Sequence, residues 1–269
     1  MTPLVTLCSS GLEVMVAPEL GGKTLSVRNR SSGHELLFQR IGVQPTARSE
    51  FGDWAFGWDD CWPSVAAGGP GYPDHGALWS QSARISEKSE SRLTLETVPR
   101  DRSWYYAKTW TLIEDTIEVS VSVENLSTLP LPSFWTLHAL IRLEDDMQLV
   151  FPSGDSRKTV SGNDFSPRSF PSWGTASKFW VPGPVERGFC RVDYPTLGMA
   201  YRLQWNPAEL PFLGYWATNG GFRGERNAAW EPSDGYYDSI QTAGDNGCLP
   251  ILAPGGAKTL TLRMTWKRK

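Results

Sequence analysis

Two histidines and one glutamate, far apart in the sequence, are the residues best suited to acid–base chemistry. His75 lies in "PDHGALWS", His138 lies in "FWTLHALIRL", and Glu231 lies in "AAWEPSDGYYDSI" between Trp230 and Pro232. Glutamate and histidine have ordinary pKa values of about 4.3 and 6.5, so near neutral pH a base and a partly protonated acid coexist. Together they could remove a proton from one substrate atom and deliver a proton to another.

His138 is predicted to lie on a β-strand, opposite a continuous apolar face. Every second residue from Trp135 to Leu143 is apolar, and such a face is buried in a sheet. His138 then points the other way, onto a face of mixed polarity that could line a cleft. A histidine held by a neighbour on a partly covered sheet face is the more common explanation for such a position.

His75 and Glu231 also have structural alternatives. Gly76 permits a backbone conformation or a close approach that would aim His75 into a pocket, but a solvent-exposed turn histidine fits the same residues. Pro232 restrains Glu231 to an extended backbone, and aromatic neighbours could alter its pKa so that it serves as a base. A glutamate on an edge strand before a turn needs no function.

The stretch "GWDDCWPSVAAGGPGYPDHGALWS", residues 57–80, combines adjacent carboxylates with three tryptophans and His75. A carbohydrate site needs carboxylates and aromatic faces, because the apolar face of a ring stacks against the C–H side of a sugar. The same residues also occur in ordinary loops over a core. Asp59 and Asp60 are neighbours that would face opposite sides of a strand, so only one of them can reach a site.

The elements that position these residues are predicted to be β-strands. Apolar and polar residues alternate in "TIEVSVSVEN", "SRLTLETV" and "KTLTLRMTW", which is typical of half-buried antiparallel strands. About a dozen strands are too many for a small immunoglobulin-like sandwich. We therefore predict an all-β fold, a large antiparallel β-sandwich that forms one domain over residues 1–269. Residues 40–82 and 152–190 interrupt the alternation and are predicted to contain long loops.

Composition argues against several classes of function. The formal net charge of −3 and the pI of about 5.7 give no reason to expect a nucleic-acid partner. The four cysteines and three histidines have no metal-ligand spacing, so no metal site is expected. No apolar segment is long enough to span a bilayer, and no secretion signal is recognisable. We expect a soluble cytoplasmic protein with reduced cysteines.

These segments, in this order, resemble the aldose 1-epimerase (galactose mutarotase-like) superfamily. "APELGGKTLSVRNRSSGHELLF" is similar to the opening of the family, "PDHG" to its His-Gly loop, and "FWTLHAL" to the strand with its second histidine. "WEPSDGYYDSI" resembles the segment with the catalytic glutamate, and "LAPGGAKTLTLRMTW" resembles the closing turn and strand. Each motif is short, but their ordered combination extends through most of the chain.

The resemblance implies a β-supersandwich that interconverts the α and β anomers of an aldose without a metal or organic cofactor. Glu231 would remove the proton of the C1 hydroxyl while His138 protonates the ring oxygen. The ring would open, the C1–C2 bond would rotate, and the ring would close on the other face of the carbonyl. His75 would hold a sugar oxygen. The implied partner is a monosaccharide or a related small carbohydrate, with no nucleic acid or membrane involved.

The sequence also departs from this family. Familiar members have an Arg-rich motif where "GWDDCWPSV" stands here, so we expect Asp60 and Trp62 to take part in sugar recognition. Trp79 occupies the region where hexose-phosphate epimerase relatives tend to have arginine, and we expect it to contact the substrate. Three alternatives therefore stay open: a non-catalytic carbohydrate-binding protein, a hexose-6-phosphate epimerase, and a glycosidase or lyase that uses Glu231.

Overall fold

The computed structural model describes residues 4–40, 51–68, 73–150, 158–159 and 171–269, of which Trp54, Lys158 and Thr159 are described by backbone only. These residues form two large sheets and one small sheet, in which neighbouring named strands are antiparallel. The all-β antiparallel sandwich predicted from the alternating pattern is confirmed.

Strands are the main secondary structure of the described chain. The strands are β1 Val5–Cys8, β2 Leu12–Ala17, β3 Lys23–Asn29, β4 Trp58–Cys61, β5 Arg84–Lys88, β6 Arg92–Thr97, β7 Trp104–Ile113, β8 Thr116–Asn125, β9 Leu131–Pro132, β10 Thr136–Arg142, β11 Gln148–Val150, β12 Lys158–Thr159, β13 Thr175–Trp180, β14 Phe189–Tyr194, β15 Met199–Trp205, β16 Phe212–Asn219, β17 Arg226–Ser233, β18 Ile251–Leu252 and β19 Ala257–Arg268. The helical segments are a 3-10 turn at Pro18–Leu20, α1 Phe51–Trp54 and α2 Ile240–Asp245.

Each large sheet combines strands that are distant in sequence. The first sheet has nine strands in the order β1-β2-β3-β4-β10-β17-β16-β13-β12, and the second has eight in the order β11-β14-β15-β19-β8-β7-β6-β5. The small sheet pairs β18 with β9. His138 and Glu231 therefore lie on strands β10 and β17, which are direct neighbours near the middle of the first sheet.

The inner faces of the two large sheets form a common core. Every second residue of β8 from Ile117 to Val123 is buried, and so is every second residue of β19 from Leu260 to Trp266. These rows pack with residues of the first sheet in one hydrophobic cluster. Burying one large apolar side chain contributes about 1.5–3 kcal/mol, so the core is what holds the two sheets together.

The central strands of the first sheet are covered on both faces. All four residues of β4 and the first six of β10 are buried. Leu137, Ala139 and Ile141 belong to the core, whereas His138 points to the opposite face, as its strand pattern predicts. The expectation of long loops was wrong at β4, since a strand buried on both faces has no alternation to detect. It was also wrong at β13, which lies within residues 152–190, and at the first two residues of β14.

Two other features concern the chain as a whole. All four cysteines are free thiols. None of the helices in the described part of the chain has the length and apolar character needed to cross a bilayer.

Candidate active site

His138 and Glu231 lie opposite each other on neighbouring strands. The antiparallel register that pairs Ala139 on β10 with Trp230 on β17 brings the adjacent His138 opposite Glu231. Residues opposite one another in an antiparallel pair have their side chains on the same face, with Cβ atoms about 4.5–5.5 Å apart. Two residues more than ninety positions apart in sequence thus become direct neighbours.

The same transverse row continues across the sheet on both sides. Asp59 on β4 pairs with His138, Gly214 on β16 pairs with Glu231, and Trp180 on β13 pairs with Gly214. A Cβ atom added to Gly214 would lie 2.9 Å from Glu231 Oε2 and 3.4 Å from the ring of Trp180. The glycine therefore leaves the space that the Glu231 carboxylate occupies.

This row borders a cavity of about 440 Å³ on the outer face of the first sheet. Its lining includes His75, His138, Lys178, Trp216, Glu231 and Asp238. The structure therefore brings together His75, His138 and Glu231, the three residues that the sequence singled out for acid–base chemistry. Within the described ranges, no group of three or more His, Cys, Asp or Glu side chains is arranged to hold a metal ion.

His138 is buried, with only 6% of its surface exposed, and its Nδ1 atom has no hydrogen-bond partner. Burial lowers the pKa of His138 well below its usual range, and the nearby charges of His75, Lys178 and Lys23 lower it further. His138 is therefore a neutral imidazole at neutral pH.

His75 reaches the cavity from a turn and is oriented by two neighbours. Its Nδ1 atom lies 2.5 Å from Asp74 Oδ1. Its ring stacks on Phe51 with centroids 3.8 Å apart, and it meets the His138 ring edge-on at 5.3 Å. Because Asp74 occupies Nδ1, the other ring nitrogen is the one available to a ligand.

The turn that carries His75 has an unusual backbone. His75 has a φ of 55°, in the left-handed region that few residues other than glycine adopt, and Gly76 follows with a φ of 84°. A Cβ atom on Gly76 would lie 2.2 Å from the carbonyl oxygen of Trp62. Gly76 therefore permits the close approach that the sequence suggested, and strained backbone of this kind is concentrated at functional sites.

Glu231 is almost completely buried, at 1% exposure, and is paired with Lys178. Lys178 Nζ lies 3.1 Å from Glu231 Oε2 and forms an ion pair with it. Burial raises the pKa of Glu231, Lys178 opposes this rise, and the nearby Asp238 carboxylate adds to it. The carboxyl group is thus a stronger base than an ordinary glutamate.

Lys178 is shared between two carboxylates. Its Nζ atom lies 3.0 Å from Asp238 Oδ1 in addition to its contact with Glu231. Burial disfavours the charge of Lys178, but the two carboxylates together outweigh burial and raise its pKa above the usual range. Lys178 is therefore a permanent cation. It stands in "TASKFW", and since no motif marks it, only the strand register reveals its place in the site.

Trp216 and Phe222 supply aromatic surface to the cavity. The two rings meet edge-on, with centroids 5.8 Å apart, and Trp216 Nε1 donates a hydrogen bond of 3.0 Å to Asn227 Oδ1. This bond fixes the orientation of the indole. Trp216 is one of thirteen tryptophans in the sequence, and no local signal distinguishes it from those in the core.

Asp60, which was expected to contact the substrate, does not line the cavity formed by the described residues. Its side chain points between the two sheets, where it accepts hydrogen bonds from Tyr106 at 2.6 Å, Lys108 at 2.8 Å and Trp58 at 3.1 Å. Asp59 is the carboxylate on the same face of the sheet as His138, and it forms an ion pair with Lys23. Because successive side chains of a strand point to opposite faces, Asp59 and Asp60 cannot both face the cavity.

Trp62 and Trp79, which were also expected to contact the sugar, do not line the cavity formed by the described residues. Trp62 belongs to the core, because it lies on the same face of the chain as Asp60, and its Nε1 atom donates to Ser133 Oγ at 3.1 Å. Trp79 packs edge-on against Phe51 at 5.6 Å and donates to the carbonyl oxygen of Asp74 at 2.8 Å. Trp79 therefore supports the turn that carries His75.

No protein-family model matches this sequence, and no curated protein sequence matches it. Solved structures do match over nearly the whole chain. A galactose mutarotase-like protein from Lactobacillus casei ATCC 334 is 17% identical with a TM-score of 0.74, covering 98% of this chain and 100% of its own. A galactose mutarotase related enzyme from Lactobacillus acidophilus is 14% identical with a TM-score of 0.74, covering 98% and 97%.

The Slr1438 protein from Synechocystis sp. PCC 6803 is also similar, at 12% identity and a TM-score of 0.76, covering 100% of this chain and 97% of its own. At such low identities, the similarity establishes the architecture. The protein has the galactose mutarotase-like β-sandwich fold.

Proposed function

We propose that this protein is an aldose 1-epimerase that interconverts the α and β anomers of an uncharged aldose. The observation that supports this most directly is the cross-strand placement of His138 and Glu231 at one cavity. One pyranose bound there would have its C1 hydroxyl group at Glu231 and its ring oxygen at His138.

Glu231 is the base in this proposal. Its carboxylate takes the proton of the C1 hydroxyl, the C1–O bond of the ring breaks, and the bonding electrons pass to the ring oxygen, which is protonated. The product is the open-chain aldehyde. Rotation about C1–C2 and closure on the other carbonyl face reverse both proton transfers and give the second anomer. A positioned proton transfer of this kind typically accelerates a reaction by about 10² to 10⁴-fold.

The histidine pair supplies the proton to the ring oxygen. The charge of His75 lowers the pKa of His138, after the larger effect of burial, so the pair holds one proton more readily than two. The Asp74 carboxylate contacts Nδ1 of His75 and holds that ring in place beside His138. His138 contacts the ring oxygen and passes the pair's proton to it as negative charge develops there. When the ring closes, that proton returns to His138, whose ring lies 5.3 Å from that of His75.

The charges around the cavity favour an uncharged sugar over a sugar phosphate. Lys178 is paired with Glu231 and Asp238, and Arg223 at the rim is paired with Asp53 at 2.9 Å. In the described part of the lining, each lysine and arginine thus already has a carboxylate partner. The ring of Trp216 offers an apolar face on which the C–H side of a sugar can stack.

Exchange spectroscopy by NMR tests this proposal, because it measures interconversion of anomers at equilibrium. We expect the wild-type protein to accelerate exchange for at least one sugar in a panel of free aldoses. Glu231→Gln should reduce that acceleration by about 10² to 10⁴-fold. Glu186→Gln, at an exposed glutamate outside the cavity, should leave it unchanged.

The alternatives predict different results. Saturable sugar binding without accelerated exchange would identify a non-catalytic carbohydrate-binding protein. Acceleration confined to hexose 6-phosphates would overturn the choice of an uncharged substrate. Release of reducing ends from an oligosaccharide would point to a glycosidase or lyase that uses Glu231.

A further inference from the structure

We infer that Lys178 is a positioning residue for the base: it holds the Glu231 carboxylate ionised and directed into the cavity, and Asp238, which shares the same lysine, limits this effect. The inference rests on the proposed function of Glu231. Lys178 and Asp238 together set the lowest pH at which the enzyme works, although neither residue is assigned a proton transfer to the sugar.

The geometry of three neighbouring elements places the lysine between the two carboxylates. Lys178 on β13 pairs in register with Trp216 on β16. This pair lies two residues along the strands from Trp180 and Gly214, which belong to the row that contains Glu231. Its Nζ atom is 3.1 Å from Glu231 Oε2 and 3.0 Å from Asp238 Oδ1. Asp238 is itself fixed by a 2.9 Å hydrogen bond from Trp180 Nε1. The lysine is therefore held at nearly equal distances from the two carboxylates.

The surroundings of Glu231 explain why a fixed cation is needed. A carboxylate that is 1% exposed has lost nearly all of its hydration, which favours the neutral acid, and a neutral acid cannot accept a proton. The titratable groups around it are Lys178 on β13, His138 on β10, Cys61 on β4, His75 in its turn, and Asp238 after β17.

Lys178 carries a positive charge that persists across the working pH range, because its pKa is raised. Burial lowers the pKa of His138 and raises that of the Cys61 thiol, so both are neutral near pH 7. Asp238 carries negative charge and works against ionisation of Glu231. Lys178 is therefore positioned to favour the ionised base, and the shared carboxylate keeps that base from becoming too weak to accept a proton.

The pH dependence of the anomer-exchange rate distinguishes this role from one in which Lys178 only stabilises the local structure. Activity that requires ionised Glu231 is lost as pH falls through the pKa of that group. We expect Lys178→Met to move this acidic limit upward by about one to three pH units, because it removes an opposite charge at contact distance. Lys178→Arg, which keeps the charge, should leave the limit near its wild-type position.

Asp238→Asn provides a test of opposite sign. It removes a like charge from the surroundings of Glu231 and frees Lys178 to pair with Glu231 alone, so the acidic limit should move downward. The asparagine side-chain oxygen can still accept the hydrogen bond from Trp180. If Lys178 and Asp238 only stabilised the local structure, both substitutions would lower the rate without moving the acidic pH limit in opposite directions. That result would overturn the inference.

A second measurement does not depend on activity. Isotope-edited infrared titration of the free protein, taken as the difference between wild type and Glu231→Gln, reports the ionisation of Glu231 directly. A higher titration midpoint in Lys178→Met and a lower one in Asp238→Asn would support the role of Lys178 even if no sugar is turned over, and the proposed function would then be the part that fails. Unchanged midpoints in both folded variants would refute the inference.

Discussion

Asp59 and Asp60 are adjacent on β4 but face opposite sides of the nine-stranded sheet. Asp59 lies beside His138 on the face of the cavity and pairs with Lys23. Asp60 points between the two sheets and accepts a hydrogen bond from Lys108, whose side chain is only 3% exposed. One aspartate therefore belongs to the surroundings of the site, and the other links the two sheets directly beneath it.

The first prediction concerns the buried link between the sheets. Asp60→Asn should destabilise the protein by about 3–5 kcal/mol, since it leaves the charge of Lys108 buried without its partner. Urea unfolding measures this change. Asp245→Asn, at an exposed position in α2, should have little effect. If Asp60→Asn left the stability unchanged but abolished sugar binding, Asp60 would have to contact the sugar, contrary to the structure.

The strands that alternate in sequence could be predicted because each has one face on the core and one in water. β8 and β19 are of this kind, and their buried rows are those that the pattern indicates. β4 lies in the middle of a sheet with both faces covered, so its four residues are all buried and nothing in "WDDC" shows which aspartate faces the core. Strand register, which depends on the whole sheet, decides that question.

The site was only partly predictable for the same reason. His75, His138 and Glu231 stand out in sequence because their types and neighbours suggest chemistry. Lys178 and Trp216 do not stand out, since a lone lysine and one tryptophan among thirteen carry no local signal. They enter the site because β13 and β16 lie beside β17 in the sheet. Contacts between strands distant in sequence cannot be derived from any one of the strands.

The second prediction concerns the space beside Glu231. Gly214→Ala would place a methyl group 2.9 Å from Glu231 Oε2, so the carboxylate must move. Because Oε2 is the end of a flexible side chain, we expect the fold to survive and anomer exchange to fall by about tenfold or more, since misplacing a reacting group by about 1 Å can cost 10²-fold. Thermal unfolding and NMR exchange measure the two effects.

A matched control for this substitution is Gly244→Ala in α2, where the nearest atom to the added methyl group is 3.9 Å away. It should leave exchange unchanged and increase stability by up to about 1 kcal/mol, because alanine favours a helix more than glycine does. If Gly214→Ala exchanged anomers at the wild-type rate, the present position of the Glu231 carboxylate would not be required for activity.

The third prediction concerns the aromatic lining of the cavity. Trp216→Ala should weaken sugar binding by about 1–2 kcal/mol, or roughly 5- to 30-fold, if its indole stacks on the ring of the sugar. Titration of sugars by NMR chemical shift measures the affinity. Trp173→Ala removes an indole that is 73% exposed and is not among the residues lining the cavity, so affinity should not change. Equal losses in the two variants would argue against stacking on Trp216.

The last prediction follows from the burial of His138. Its pKa is lowered in the folded protein, whereas the unfolded chain has the ordinary value of about 6.5. Below about pH 6.5 the unfolded state therefore binds a proton that the folded state does not. As pH decreases from 6.5 toward the pKa of His138 in the folded protein, the free energy of unfolding decreases by up to about 1.4 kcal/mol per pH unit. Above about pH 6.5 neither state binds this proton, so His138 does not make stability depend on pH there.

His138→Gln removes this contribution. The stability of the variant relative to wild type, measured by urea unfolding at each pH, should therefore rise as pH falls from 7 to 5. Parallel stability curves for the two proteins would mean that His138 takes up a proton as easily in the folded state as in the unfolded chain, and the neutral imidazole assigned to the site would be wrong.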